Sequence, residues 1–160
     1  MEQKLLGVGK TWAPVVAWMA LMFTFSTDWF AAPNTSSFVG PLLSWLIPGI
    51  AAETTQIVHA ALRKLGHWTE YFILATLLAA ACKAQWPKQT WRNRFIVTVI
   101  IATLYAISDE WHQSFVPSRG ASAIDVAIDA FGAICGAFWT LCCGRTCAIA
   151  DKAQQVVKKT

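Results

Sequence analysis

Acidic, basic and imidazole side chains are concentrated in one short stretch of this sequence, SDEWHQSFVPSRGASAIDVAID, which runs from Ser108 to Asp129. Carboxylates, an imidazole and a guanidinium in such close order can bind a cation, bind a phosphate or transfer a proton. A smaller group precedes this stretch and contains Lys64, His67 and Glu70. Together with this smaller group, the candidate site residues are Asp109, Glu110, His112, Gln113, Arg119, Asp125 and Asp129.

The spacing of these residues places a histidine and a carboxylate one helical turn apart in two pairs, His67 with Glu70 and Asp109 with His112. Two imidazoles and two carboxylates form a donor set that could hold a divalent metal, so these four residues are predicted as candidate metal ligands. The same pairs could also act without a metal, with a histidine and an acid serving as a general base. No Ser or Cys nucleophile with a flanking motif and no Gly-rich phosphate loop occurs in the sequence.

The rest of the chain is strongly apolar. Of its 160 residues, 56% are hydrophobic and 14% are charged, whereas a soluble domain is about 45–50% apolar and about 25% charged. Nine tryptophans fit a chain that contacts membrane–water interfaces. The net charge of +4 is modest and the basic residues are scattered, so nucleic-acid binding is not predicted. The composition predicts an integral membrane protein whose partners include membrane lipids.

Four stretches could cross a bilayer core of about 30 Å, namely residues 11–27, 67–82, 95–115 and 122–143. We therefore predict an all-α fold, a polytopic bundle of four transmembrane helices that forms a single domain over residues 1–160. The first span is interpreted as an uncleaved anchor, because small residues do not follow it at the spacing of a signal-peptide cleavage site. The apolar segment 38–50 and an amphipathic helix at 52–65 are predicted to lie in the outer interface.

Lysine and arginine residues are distributed unevenly between the two sides of such a bundle. Three of them, Arg63, Lys64 and Arg119, fall on one side. The other ten share the opposite side with both termini, and they are Lys4, Lys10, Lys83, Lys88, Arg92, Arg94, Arg145, Lys152, Lys158 and Lys159. Because the side richer in lysine and arginine faces the cytoplasm, both termini are predicted to be cytoplasmic and the candidate site to lie near the outer leaflet.

At helical spacing the polar residues of each span lie on one face, and we expect that face to point toward the interior of the bundle. Asp109 and Asp129 lie about 10 Å from the outer ends of their spans, at about 1.5 Å per residue. Asp129 shares a face with Gly132 and Gly136, a small-xxx-small pair that allows a neighbouring helix to approach closely. The opposite, lipid-facing stripes are predicted to be Ile100, Leu104, Ile107 and Trp111 on the third span and Ala127, Phe131, Ile134, Phe138 and Leu141 on the fourth.

Two blocks of the sequence resemble the VanZ-like family of bacterial membrane proteins. They are LRKLGHWTEYFILATLLAA at 62–80 and SDEWHQSFVPSRGASAIDVAIDAFGAICG at 108–136, and FSTDW at 25–29 is a weaker match. The resemblance covers about residues 12–143 and includes the ten candidate site residues. It implies about four or five transmembrane helices in the bacterial cytoplasmic membrane. It also implies a role at the cell envelope, since the founding member is linked to resistance to the glycopeptide antibiotic teicoplanin.

Ionisable residues within membrane spans are expected to have a function. The first hypothesis is a protein that binds, or gates the passage of, an anionic lipid-linked envelope precursor, with Arg119 and Lys64 on its phosphate. The alternative is a membrane-embedded hydrolase or transferase that acts on lipid-linked phosphate, with or without a divalent metal as cofactor. A proton- or ion-coupled transporter is a third class, and a salt-bridged cluster that only fixes helix register is the purely structural reading.

Overall fold

The structure is a computed structural model that describes residues 2–27, 32–117 and 119–157, with side chains described for 8–27, 39–117 and 119–142. The described residues form five helices and no strand, so the all-α prediction is confirmed. The helices are α1 (Glu2–Phe25), α2 (Ala32–Leu46), α3 (Ala52–Gln85), α4 (Trp91–Gln113) and α5 (Ala123–Val157).

Helices α4 and α5 each begin at a hydroxyl side chain that caps the first turn. The hydroxyl of Thr90 accepts a hydrogen bond from the Asn93 N–H at 3.2 Å, and that of Ser122 accepts one from the Asp125 N–H at 3.2 Å. Each cap pairs one backbone N–H that the helix itself leaves unpaired. The caps fix where α4 and α5 begin, and the second of them lies at the candidate site.

Three helical segments are long and apolar enough to cross a membrane: Val8–Phe25, Trp91–Gln113 and Ala123–Cys142. They agree with the predicted first, third and fourth spans to within a few residues. The predicted second span, 67–82, lies inside α3 and is not among them. This segment begins with polar and ionisable residues, which lower its mean hydropathy. The described residues therefore contain three candidate spans, not the predicted four.

Large apolar side chains cover the outward surfaces of α4 and α5, as a membrane protein requires. The predicted stripe on α4 is confirmed, because all four of its members are exposed. On α5 the stripe is confirmed at Phe131, Ile134 and Phe138. The prediction for Leu141 is wrong, since only 4% of its surface is exposed. Leu141 continues the row of Ala133 and Ala137, which are buried in the core.

The segment 52–65, predicted as a separate amphipathic helix, is helical but continuous with the second predicted span in α3. The 34 residues of α3 extend over about 51 Å at about 1.5 Å per residue. The chain enters α3 through a Pro–Gly turn, in which Gly49 has a φ of 84° and the Ile50 N–H donates to Ile47 O at 3.2 Å. A glycine adopts this left-handed conformation without strain.

Helix α3 is central, because it packs against α1, α2, α4 and α5. Its contact with α5 is made through glycines: a Cβ at Gly132 would press on the backbone oxygen of Trp68, and one at Gly136 on that of Phe72. The predicted close approach at these two glycines is therefore confirmed, and the neighbour is α3. The core around this crossing contains Met22, Tyr71, Leu74, Ala75, Leu78, Ala102, Ala106, Ala133 and Ala137.

Candidate functional site

The candidate site lies at one end of the bundle, where α1 and α4 end and α5 begins. A cavity of about 410 Å³ opens there. It mixes basic, acidic and apolar side chains, so it can accept both a charged group and a hydrocarbon. Its lining residues are Phe25, Ser26, Val39, His59, Leu62, Arg63, Gly66, His67, Glu70, Gln113, Arg119, Gly120 and Asp125.

Asp125, in the first turn of α5, is paired with cations from α3. Its carboxylate lies 3.5 Å from Arg63 Nη2 and 3.7 Å from Lys64 Nζ. The carboxylate is almost fully buried, while the two cations are about half exposed. These pairs join α3 to the start of α5, and the exposed ends of both cations remain at the mouth of the cavity.

Asp109 on α4 is turned toward α1. Its carboxylate accepts a hydrogen bond from Ser26 Oγ at 2.5 Å and another from Gln113 Nε2 at 2.9 Å. All three residues are buried. This small network anchors the end of α1 to α4, and it gives the Asp109 carboxylate two hydrogen-bond donors within the bundle.

The neighbouring acid, Glu110, is turned toward α5. Its Oε2 accepts the backbone N–H of Ser122 at 2.7 Å, whereas its Oε1 is buried without a hydrogen-bond partner. Asp129 is 0% exposed, and neither of its oxygens has a hydrogen-bond partner. His67 Nδ1 lies 3.3 Å from Asp129 Oδ1 without the geometry of a hydrogen bond. His67, Glu110 and Asp129 can each offer one ligand atom within 4.8 Å of the others.

Arg119 lies in the loop between α4 and α5 and reaches back to α1. Its Nη2 donates to the backbone oxygen of Phe25 at 2.7 Å. Burial lowers the pKa of its guanidinium below its usual value, and the nearby Asp109 carboxylate offsets part of that shift. Because arginine keeps its proton in proteins, Arg119 places a fixed positive charge in the wall of the cavity.

Glu70 and His112 differ in their position relative to the cavity. Glu70 lines the cavity, and its backbone oxygen accepts a hydrogen bond from Trp18 Nε1 at 3.0 Å. The ring of His112 packs on Phe23, with 4.6 Å between centroids, and it does not line the cavity.

The ten candidate residues therefore divide into three groups. Six of them face the cavity: His67, Glu70, Gln113, Arg119 and Asp125 line it, and Lys64 lies at its mouth through its pair with Asp125. Asp109 and His112 contact α1. Glu110 and Asp129 lie with His67 in the interior. Of the four metal-ligand candidates, His67 is the one that belongs to the compact three-residue group of the described chain.

Sequence reasoning did not include Ser26, His59 or Arg63 among the site residues. Ser26 could have been found, because it follows Val15 and Met22 along one face of α1 and all three are buried. Arg63 was expected near the acids but not as a site residue. His59 gave no signal, since its position in the cavity depends on α3 continuing unbroken through residue 66.

The fold and the cavity can now be compared with known proteins. The model of the VanZ/LLP1 family matches residues 11–144. The matched segment contains two of the candidate spans in full, the first from residue 11 onward, and also α3 and every candidate site residue. No curated protein and no solved structure matches the chain. The match covers most of the sequence and confirms the resemblance: the chain belongs to the VanZ/LLP1 family.

Proposed function

We propose that this protein binds the anionic, phosphate-bearing headgroup of a lipid-linked envelope molecule in the cavity at the end of its helices. The observation that carries the proposal is the position of that cavity. Phe25 is the last residue of α1, Gln113 is the last of α4, and Asp125 lies in the first turn of α5. A cavity at the common end of three apolar helices lies at the level of lipid headgroups.

The charge of the cavity wall suits a phosphate. Arg63 and Arg119 both line it, and a guanidinium presents a planar pair of N–H groups that matches two phosphate oxygens. Lys64 adds a third cation at the mouth through its pair with Asp125. His59, Glu70 and Gln113 supply polar groups that suit the hydroxyls of a sugar or glycerol.

The apolar surface beside the cavity suits the lipid chain. Leu62 lines the cavity and is exposed. Exposed apolar side chains continue from it along α2, the turn that follows it and the first part of α3, namely Leu42, Trp45, Leu46, Ile47, Ile57 and Leu65. A surface of this kind is stable when it is buried in the boundary between headgroups and acyl chains. We place α2 and residues 52–65 in that boundary, at the outer face of the membrane.

Residues 67–82 of α3 serve as a fourth span in this proposal. The side chains that face the other helices are the buried ones, namely His67, Tyr71, Leu74, Ala75, Leu78 and Ala79. Lipid would meet the remaining face, which carries Phe72, Ile73 and Leu77. With four spans both termini lie on the same side of the membrane, and the distribution of Lys and Arg supports the cytoplasm of a bacterial cell for that side and the outer face for the cavity.

The test measures binding of a polyisoprenyl phosphate to the purified protein in detergent, with the matching polyisoprenol and inorganic phosphate as comparison ligands. Arg119→Lys keeps the positive charge but loses the planar pair of N–H groups that matches two phosphate oxygens. Binding of the lipid should therefore weaken about tenfold, which is about 1.4 kcal/mol. Arg94→Lys is the matched control, because Arg94 also donates to backbone oxygens, those of Trp86 and Pro87, but far from the cavity.

Equal binding of the lipid by the Arg119→Lys and Arg94→Lys proteins would contradict phosphate recognition at Arg119. Equal affinity for the polyisoprenyl phosphate and the polyisoprenol would contradict headgroup recognition altogether. Tight binding of inorganic phosphate alone would identify a soluble anion as the ligand. In cells, teicoplanin susceptibility measured with and without the protein tests whether the link between the family's founding member and teicoplanin resistance extends to this chain.

A membrane-embedded hydrolase or transferase acting on lipid-linked phosphate is the second candidate. The observation that favours it is the group of one imidazole and two carboxylates beside the cavity, formed by His67, Glu110 and Asp129. Such a group can supply a general base. Release of phosphate from a polyisoprenyl diphosphate by the wild-type protein, lost in Asp129→Asn with lipid binding retained, would establish this activity. If the wild-type protein binds the lipid but releases no phosphate, the result supports binding as the function and contradicts the hydrolase.

A further inference from the structure

We infer that His67, Glu110 and Asp129 form a binding site for one divalent transition-metal cation, with Zn²⁺ and Mn²⁺ as the chemically suited ions. The three residues come from α3, α4 and α5, so the site lies where the three central helices meet. It does not rest on the headgroup binding proposed above. Of the four metal ligands expected from the sequence it keeps His67, and Glu110 and Asp129 take the place of the other three.

The first argument is the set of buried acceptors without donors. Asp129 is completely buried and neither of its oxygens has a hydrogen-bond partner. Glu110 Oε1 and His67 Nδ1 are buried without a partner as well. Leaving one such group unpaired costs about 1–3 kcal/mol, and more when it is charged. A cation bound by one atom from each of the three residues would relieve part of this cost.

The second argument is charge. When ionised, Glu110 and Asp129 would contribute two negative charges to the interior of an apolar bundle, where an ionised carboxylate is stable only with a positive partner. Arg63 and Lys64 of α3 pair with Asp125, and His67 could pair with Asp129, at 3.3 Å, only in its protonated form, whose proton a metal would replace. A divalent cation with a neutral histidine and two carboxylates gives a site with no net charge.

The third argument is geometry and ligand type. One nitrogen and two carboxylate oxygens suit Zn²⁺ and Mn²⁺, whereas Mg²⁺ prefers oxygen ligands alone. The three ligand atoms lie within 4.8 Å of one another. Ligands about 2.0–2.2 Å from zinc are about 3.4 Å apart in a tetrahedral site. Side-chain rotations would therefore have to close the gaps by up to about 1.4 Å. Three protein ligands leave a coordination position for water or a ligand, and His67 also lines the cavity.

The experiment uses the full chain, purified in detergent without an affinity tag and stripped of metal with a chelator. Zn²⁺, Mn²⁺ and Mg²⁺ are titrated separately, with binding followed by calorimetry and the bound metal counted by elemental analysis. The expected result is about one Zn²⁺ or Mn²⁺ per chain and at least tenfold weaker binding of Mg²⁺. Less than a tenth of an equivalent of Zn²⁺ and Mn²⁺ on the wild-type protein would overturn the inference without any variant.

Matched pairs of variants locate the site. Asp129→Asn should weaken Zn²⁺ binding at least tenfold, whereas Asp125→Asn, at a buried acid one turn earlier on α5, should retain it. His67→Gln should lose the metal, whereas His59→Gln, two turns earlier on α3, should keep it. Glu110→Gln gives an independent test if Asp129→Asn does not fold.

Equal affinities within the pairs would show that the metal binds elsewhere and would overturn the site. Each protein is first checked for a single elution peak and helical circular dichroism, so that loss of metal is not confused with loss of fold. No lipid is present in these titrations. A failure of the metal site therefore leaves the headgroup proposal unaffected, and the reverse also holds.

Discussion

The packing of α3 against α5 predicts that two Gly→Ala substitutions change the free energy of unfolding in opposite directions. At Gly136 a Cβ would press on the backbone oxygen of Phe72. An ordinary carbon–oxygen contact is about 3.3–3.6 Å, and a backbone oxygen cannot rotate away. Gly136→Ala must therefore push the two helices apart by about 1 Å. At Gly66 in α3 a Cβ meets nothing within 4 Å, so Gly66→Ala requires no movement.

The magnitudes follow from two opposing effects. Alanine in place of glycine favours a helix by about 0.5–1 kcal/mol. Overpacking costs about 1–3 kcal/mol, and a gap of about 0.5–1 Å loses a quarter to a half of the dispersion energy of the contacts it opens. Gly136→Ala should destabilise the protein by about 1–2 kcal/mol after the helix preference is subtracted, and Gly66→Ala should stabilise it by about 0.5–1 kcal/mol.

The assay is equilibrium unfolding by sodium dodecyl sulfate in mixed micelles, followed by circular dichroism. The double variant Gly132→Ala with Gly136→Ala adds a second test. One displacement of α5 relieves both contacts, so the double variant should lose less stability than the sum of the two single changes. The reasoning would be refuted if Gly136→Ala and Gly66→Ala shifted the free energy of unfolding in the same direction.

Three further predictions concern other parts of the molecule. Ser26→Ala removes a hydroxyl donor from the buried Asp109 carboxylate and should lower the free energy of unfolding by about 1–3 kcal/mol in the same assay; an unchanged value would show that this bond does not contribute. Asp125→Asn should cost less than about 1 kcal/mol, because the side chains of its two cationic partners are 53% and 44% exposed, and a larger loss would mean that solvent does not screen these pairs. A reporter fused at Thr160 should be active only in the cytoplasm, and one inserted within 33–37 only outside it; the reverse pattern would contradict the topology.

Helical periodicity predicted which faces of α4 and α5 are apolar and which carry the acids, except at Leu141, which is buried. The 3.6-residue repeat fixes the relative directions of side chains on one helix, whatever the helix packs against. The same repeat placed Gly132 and Gly136 on the face of Asp129. Two glycines four residues apart on a polar face are by themselves enough to predict a close helix contact, because only a small residue lets another backbone come so near.

Periodicity does not determine which neighbour each face meets. Asp109 and Glu110 are adjacent and lie on the same polar side of α4, yet Asp109 is hydrogen-bonded to α1 and Glu110 to the start of α5. The rotation and depth of α4 between its neighbours decide this, and both depend on the packing of all the helices together. The predicted metal set grouped residues by their spacing along one helix, whereas the observed group takes one residue from each of three helices.

The packing of the helices also decides which groups pair with the charged side chains. The sequence placed Arg119 among the acids, because it lies in the loop above them. In the structure the guanidinium donates to the backbone of α1, and Asp125 pairs with two cations from α3. Those cations reach Asp125 because residues 52–85 form one continuous helix, a continuity that the pattern of two separate segments concealed. Sequence alone determined the fold class, the apolar faces and the family, since these depend on local pattern. Tertiary structure decided the contacts of the site, since these depend on how separate helices are placed against one another.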